Sequence, residues 1–332
     1  MKLVLVTDAW YPQINGVVRT LDMTRQTLTD MGHEVVAITP EAFRTIPCPT
    51  YPEIRLAIAA GRRIRAAIDG AAPDAIHIAT EGPLGLAARN HCVRRGIPFT
   101  TSFHTKFPEY LHARFRLPVA WGYRFLRWFH GGARRTMVAT GALQAELEQW
   151  GFDNIGRWSR GVDVDLFRPR PKSFLDLPRP VWLYVGRVAV EKNVEAFLAL
   201  GLPGTKVVVG DGPQTAALKA RYPDVRFVGA KRGEDLARHY AAGDVFVFPS
   251  RTDTFGLVLL EALASGVPVA AYPVTGPRDV IGESGCGVLD EDLGRAANAA
   301  LGIAADRCRA HAERFAWPAC TREFVGNLHP IG

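Results

Sequence analysis

The sequence predicts two doubly wound α/β domains, each a parallel β-sheet with helices on both faces. Three observations predict it. The 332 residues, 48% of them hydrophobic, are many for one core and comfortable for two of about 165 each. Short β-branched apolar runs alternate with helical patterns, the rhythm of βαβ units. That rhythm stops at a proline-rich stretch, Arg168 to Pro180, and then starts again.

In the first half, strands are expected at residues 3–7, 34–38, 75–79, 98–103 and 136–139. Each is apolar, rich in β-branched residues and short for a helix. Pro169, Pro171, Pro178 and Pro180 make residues 169–180 read as a linker. Strands resume at 181–185, 206–209, 225–228, 244–248 and 267–271, each followed by a plausible helix. The expected division is a first domain over 1–168, a second over 181–316 and a closing helix over 317–332. In open parallel sheets ligands bind beyond the carboxyl ends of the strands, so a two-domain chain is expected to hold its ligand between the halves.

Composition narrows the function classes. Met1 to Val6 is too short for a signal h-region and meets Asp8 at once. The longest apolar stretch, Gly256 to Tyr272, carries Glu261 and Pro268 and falls short of a membrane span. A cytoplasmic protein is the expectation. The five cysteines are scattered and contain no C-x-x-C, which supports neither a disulfide framework nor a zinc site. The net charge of +7 lies wholly in residues 1–170, where 22 Lys and Arg face 15 Asp and Glu; the remainder holds 18 of each. From Tyr110 to Ala145 no acid occurs, while Arg114, Arg116, Arg124, Arg127, Arg134 and Arg135 stand among Trp121, Tyr123, Phe125, Trp128 and Phe129. Such a mixture suits an interface with anionic lipid headgroups or an acidic acceptor. Nucleic acid ranks last, because no RRM, KH or zinc-finger signature accompanies the patch.

The motifs point to a nucleotide sugar. Phe255 and Gly256 would open a helix, so Asp253 stands on the loop before its N-terminus and Glu261 about a turn and a half inside. One carboxylate can hold sugar hydroxyls and the other a ribose. Between them the free N–H groups near Gly256, Leu257 and Val258 point at an anion. After the first strand, Gly16 stands just before an amphipathic helix and lets the backbone approach a phosphate. There is no G-x-G-x-x-G, which argues against a dinucleotide oxidoreductase. In the second half Gly186-Arg187 ends a strand and Lys192-Asn193 starts a helix, so two cations can converge on one pyrophosphate. Gly210 begins a tight turn, Gly210-Asp211-Gly212-Pro213, after the next strand.

Four stretches, TDAWYPQINGVVRTL (7–21), SFHTKFPEYL (102–111), RGVDVDLFRP (160–169) and FPSRTDTFGLVLLEALASGVPVA (248–270), together with GR-x4-KN and GDGP, resemble retaining glycosyltransferases of family 4. The resemblance covers nearly the whole chain. Within the family it is most similar to the GDP-mannose-dependent α-mannosyltransferases and the sulfoquinovosyl-diacylglycerol synthases. It implies a GT-B fold, two Rossmann-like domains facing across a cleft, with a closing helix that returns to the first. Donor-binding positions are then Gly16, Gly186, Arg187, Lys192, Gly210, Asp253, Thr254, Phe255, Gly256, Leu257 and Glu261. Arg187 and Lys192 match the diphosphate pair, Asp253 the carboxylate on the donor sugar, Glu261 that on the ribose, and His104 the histidine beside the transferred sugar. Two departures stand out: the first acid is Asp253 where the family usually has Glu, and Asn15-Gly16 replaces two glycines.

The implied reaction is retaining transfer of a hexosyl group, mannose from GDP-mannose first, to a hydroxyl of a lipid or glycan, with neither metal nor cofactor. Peripheral contact with the inner face of the cell membrane through residues 110–145 is the accompanying expectation. The alternatives are a UDP-sugar-dependent glycolipid glycosyltransferase, a nucleotide-sugar epimerase and an inert binding protein of the same fold.

Overall fold

The structure is a computed structural model that describes residues 1–13, 16–48, 51–109, 116–251 and 255–332, with residues 51–53 as backbone alone. Along the chain run β1 (Lys2–Val6), α1 (Gly16–Asp30), β2 (Glu34–Ile38), β3 (Thr45–Cys48), β4 (Tyr51–Ala57), α2 (Gly61–Ala71), β5 (Ala75–Ile78), α3 (Pro83–Arg95), β6 (Thr100–Ser102), α4 (Val119–His130), β7 (Arg135–Val138), α5 (Gly141–Gln149) and β8 (Ile155–Arg157). There follow β9 (Val181–Val185), α6 (Val194–Leu198), β10 (Thr205–Val209), α7 (Thr215–Arg221), β11 (Arg226–Gly229), α8 (Gly233–Ala242), β12 (Val245–Phe248), α9 (Leu257–Ala264), β13 (Val269–Ala271), α10 (Thr275–Val280), β14 (Gly287–Leu289), α11 (Leu293–Ala300), α12 (Ala305–Glu313) and α13 (Trp317–Asn327).

Two compact units result, one of residues 1–160 with 320–332, the other of residues 161–319. The first holds a six-stranded sheet in the order β2-β1-β5-β6-β7-β8, every neighbouring pair parallel. Two clusters line one face of this sheet, one around Val4, Ile64, Ile78 and Leu84 beside β1 and β5, the other around Phe103, Tyr123, Val138 and Leu143 beside β6 and β7. The second unit repeats the plan as β11-β10-β9-β12-β13-β14, again parallel throughout. One of its faces carries Trp182, Tyr184, Phe197, Val245 and Ala296. Strands buried on both faces need continuous apolar runs, and VWLYV in β9 and VFVF in β12 are fully buried.

In each sheet the strand order reverses once, between β1 and β5 in the first and between β9 and β12 in the second. At such a reversal the loops leaving two neighbouring strands turn to opposite faces and leave a crevice. The sequence-predicted strands all exist; those at 34–38 and 181–185 match at both ends, and the others shift by one or two residues. Four strands carried no readable signal. β8 is Ile-Gly-Arg and β14 is Gly-Val-Leu, three-residue edge strands without an apolar run. The antiparallel hairpin of β3 and β4 contains Pro47 and Pro52, which count against a strand in a sequence and are admitted only where the ladder is exposed.

The proline-rich stretch packs onto the second unit. Arg309 Nη1 donates to the carbonyls of Val164 and Phe167, fixing the approach. Phe174 meets the His239 ring edge-on. Asp244, just ahead of β12, gathers the Lys172 ammonium at 2.9 Å, the Arg179 guanidinium and the Val181 N–H at 2.7 Å. Burial raises the carboxyl of Asp244, but these donors outweigh it and hold its pKa below the ordinary value. The division of the chain therefore falls at Arg160/Gly161, not at 168, because residues 161–180 find their partners in the second unit. Asp244→Ala is expected to lower unfolding stability at neutral pH by about 1–3 kcal/mol, since it leaves a strand N–H and two cations without their acceptor. Because the folded pKa is depressed, the difference from wild type should be present above the ordinary carboxyl pKa and vanish as pH falls through the folded one, read by urea titration.

Candidate active site

The carboxyl edge of the second sheet collects most of the predicted donor residues. Gly186 follows β9 with φ of 153°, and Gly210 follows β10 with φ of 146°. Their backbones touch: a Cβ on Gly210 would stand 1.9 Å from the Gly186 carbonyl oxygen. A Cβ on Gly212 would likewise lie 2.4 Å from the Val188 carbonyl oxygen, while Val188 N–H donates to Asp211 at 3.0 Å and Gln214 N–H to Val188 at 3.0 Å. Only glycine permits this zip of two neighbouring loops. It holds Arg187, exposed, at the end of β9, where Tyr184 Oη also donates to the Arg187 carbonyl at 2.9 Å.

Lys192 closes a 3-10 turn, Val190–Lys192, ahead of α6. Asn193 then adopts the left-handed conformation at φ of 51°, which asparagine tolerates better than most residues. Its Nδ2 donates to the Pro249 carbonyl at 3.1 Å, tying the Lys192 turn to the loop that leaves β12. β9 and β12 are the pair at the strand-order reversal, so Arg187, Lys192 and the β12 loop share one crevice edge.

That loop passes Arg251, whose guanidinium lies 3.6 Å over the Tyr272 ring and meets Glu291 at 3.1 Å. Asp253 and Thr254, the expected sugar carboxylate and its neighbour, lie outside the described residues, as does Asn15. Phe255 is buried, and Gly256 caps α9 at φ of 81°, so Leu257 is the first helical residue. Glu261 lies one turn inside α9 and is buried, and Tyr240 on α8 donates its hydroxyl to Oε2 at 2.7 Å. A carboxylate taken from water needs such a partner. Tyr240, Asn193 and Arg251 were not singled out by the sequence reading. Asn193 alone had a signal, as the second letter of the Lys-Asn pair.

In the first unit Gly16 is the first residue of α1, beyond β1, and its carbonyl accepts from Thr20 Oγ1 at 2.7 Å. Asp8, also beyond β1, reaches across the strand-order reversal to α3. Its carboxylate accepts from Leu84 N at 2.8 Å, Gly85 N at 3.2 Å and Thr80 Oγ1 at 2.9 Å, an N-terminal cap supplied from a distance. Burial raises the Asp8 pKa despite these donors.

His104 follows β6 and is engaged at both ring nitrogens. Arg160 Nη2 stands 3.2 Å from Nδ1, and Ser102 Oγ 2.8 Å from Nε2. A guanidinium only donates, so Nδ1 accepts and the proton of neutral His104 sits on Nε2, directed at Ser102. The Ser102 hydroxyl then turns to His77 Nε2 at 3.1 Å, and His77 Nδ1–H to Thr100 Oγ1 at 2.9 Å. Arg160 is itself buried, donates to the Trp158 carbonyl at 2.9 Å and lies over the Trp158 ring. Burial lowers its pKa to about 10, which leaves it charged at neutral pH. Burial first, then the Arg160 charge, push His104 well below the ordinary histidine value and His77 to about 3.

The chain matches the family model described as Glycosyltransferase Family 4 over residues 14–166 and that described as Glycosyl transferases group 1 over residues 179–306. It is 31% identical to the GDP-mannose-dependent alpha-mannosyltransferase of Mycobacterium tuberculosis (strain CDC 1551 / Oshkosh), covering 87% of this chain and 83% of that one. The chain belongs to glycosyltransferase family 4. This glycosyltransferase is also 32% identical to the sulfoquinovosyl transferase SQD2 of Arabidopsis thaliana, over 77% of this chain and 56% of that protein. Sucrose-phosphate synthase from Thermosynechococcus elongatus shares its fold with a TM-score of 0.77 at 21% identity, covering 98% of this chain and 97% of that one.

A histidine whose folded pKa is depressed binds its proton more readily when unfolded, so acid favours unfolding. For His77 the window runs from the ordinary value of 6.5 down to about 3. Stability of the first unit should be complete above that window and fall as pH descends through it. Urea titrations across the acid range should find this loss reduced in His77→Gln relative to wild type.

Proposed function

We propose that this glycosyltransferase moves a hexosyl group, mannose from GDP-mannose, to a hydroxyl of a lipid or glycan, with retention of anomeric configuration and without metal. The observation that carries the reading is the carboxyl edge at β9 and β12, where an exposed arginine, a lysine turn, a helix N-terminus and a buried glutamate meet. The similarity to a GDP-mannose-dependent enzyme over most of both chains favours mannose.

Each group then has a task. Arg187 grips the diphosphate as a fork and Lys192 as a point charge, and the N–H groups near Gly256, Leu257 and Val258 add to them. These preorganised charges stabilise the negative charge that grows on the leaving diphosphate. Glu261, fixed by Tyr240, accepts from the ribose hydroxyls. Gly186 and Gly210 keep the loops clear of side chains, and Gly16 does the same for a phosphate on the other domain. Asp253 holds the donor sugar, with Thr254 and Phe255 as its neighbours in the donor-binding sequence. His104 stands beside the transferred sugar as a neutral ring, held so by Arg160. The acceptor hydroxyl attacks from the leaving-group face and gives its proton to a donor phosphate oxygen, so neither Asp253 nor Glu261 serves as a nucleophile. The acceptor side belongs to the first domain, where the basic aromatic stretch would meet an anionic membrane.

Calorimetric titration with GDP, UDP, GDP-mannose and UDP-glucose, each with and without EDTA, tests the donor. Binding of the guanine pair alone, insensitive to EDTA and abolished in Lys192→Ala, is the expected result. Preference for UDP and UDP-glucose would move the reading to a UDP-sugar enzyme, and binding by none would overturn it. Asp253→Ala should lose turnover by several orders of magnitude, which an inert binding protein has no turnover to lose.

A further inference from the structure

We propose that α4 docks the first unit on an anionic lipid bilayer. The inference rests on the membrane contact of the proposed function, narrows it to one helix, and does not depend on the identity of the donor.

α4 has two apolar faces, and only one is used by the fold. Tyr123, Leu126, Phe129 and His130 are buried and attach the helix to the first sheet. Trp121, Arg124, Phe125 and Trp128 are spaced by three, one and three residues and so share the outward face. Trp121 is 69% exposed, Phe125 42% and Trp128 50%. Packing against the core therefore gives no reason for two tryptophans and a phenylalanine to stand here. Trp128 is held from beneath: the Arg89 guanidinium lies 3.8 Å from its ring and donates to the carbonyls of Trp128 at 2.7 Å and Phe129 at 2.9 Å.

α4 itself carries basic residues and no acid. Arg116, Arg124 and Arg127 are exposed, and the sequence from Tyr110 to Ala145 contains no acid. The two acids that flank the run are engaged from below: Glu109 accepts from the Tyr123 hydroxyl at 2.6 Å, and Glu146 pairs with Lys106 at 2.5 Å. Tryptophan and phenylalanine settle at the depth where headgroups meet acyl chains, and arginine reaches the phosphates above them. A second copy docked by this face would set the same arginines against one another around a two-fold axis. An anionic bilayer complements both the rings and the charge.

The test is co-sedimentation of the full chain with vesicles of phosphatidylcholine alone and of equal parts phosphatidylcholine and phosphatidylglycerol. Binding to the anionic vesicles only, weakened by salt, is expected. Trp121→Ser with Trp128→Ser should reduce the partition coefficient by roughly tenfold or more. Arg124→Ser with Arg127→Ser should reduce it by roughly fivefold per charge removed. Lys219→Ser with Arg226→Ser, which removes as much exposed charge from the second unit, should leave it unchanged. Circular dichroism and nucleotide titration of each variant show that it is folded, so a failed vesicle result stays separate from a failed donor assignment. No binding to either vesicle, or equal binding by the tryptophan variant and wild type, overturns the proposal. So does a wild-type dimer on size exclusion that the tryptophan variant abolishes without vesicle binding, which would make the occupant a second copy.

Discussion

A contact between two backbones governs the second unit. Gly186 and Gly210 lie so close that any side chain at 210 would strike the Gly186 carbonyl, and the same holds for Gly212 against Val188. The loops leaving β9 and β10 are thereby fixed to one another before any ligand arrives. The Arg187 main chain inherits a defined position from this contact, and that of Lys192 inherits one from the Asn193 bond to Pro249. Electrostatic recognition of a diphosphate depends on charges that need no rearrangement at the moment of reaction. Here the rigidity comes from the main chain, and the cations themselves remain at the exposed edge.

The first unit solves a different problem, that of keeping polar groups in order without water. His104, Ser102, His77 and Thr100 form a chain whose direction is set by the one member that can only donate, Arg160. Burial and the arginine charge act in the same sense on the imidazoles and hold them neutral. In the proposed function this neutral ring with a defined tautomer would neighbour a sugar, where hydrogen bonds matter more than charge. Asp8 plays a comparable part at the other strand-order reversal, where it closes the N-terminus of α3 and sets the floor beside β1 and β5.

The fold was legible because buried parallel strands must be apolar along their length, and VWLYV and VFVF announce themselves. Strands with one short edge or an interior proline, β8, β14 and the β3–β4 hairpin, carry too little apolar sequence to stand out from loops. The residues of the candidate site divide in the same way. Gly186, Gly210, Arg187, Lys192 and Gly256 are visible as local motifs because their work is done within a few residues of themselves. Tyr240, which holds Glu261 from 21 residues away, and Arg160, which holds His104 from 56 residues away, act only through tertiary placement. The basic aromatic run from 110 to 145 was read as one stretch, yet among its described residues only the outward face of α4 combines exposed rings with exposed arginines; Tyr123 and Phe129 serve the core.

In the proposed function the carboxyl edge of the second sheet, at β9 and β12, receives the diphosphate of a sugar nucleotide. A crystal structure of the protein with GDP-mannose tests it most directly. Phosphate oxygens are expected within hydrogen-bond reach of Arg187, Lys192 and the N–H groups that open α9, with ribose hydroxyls on Glu261. A nucleotide bound elsewhere, with Arg187 and Lys192 in solvent, would contradict it.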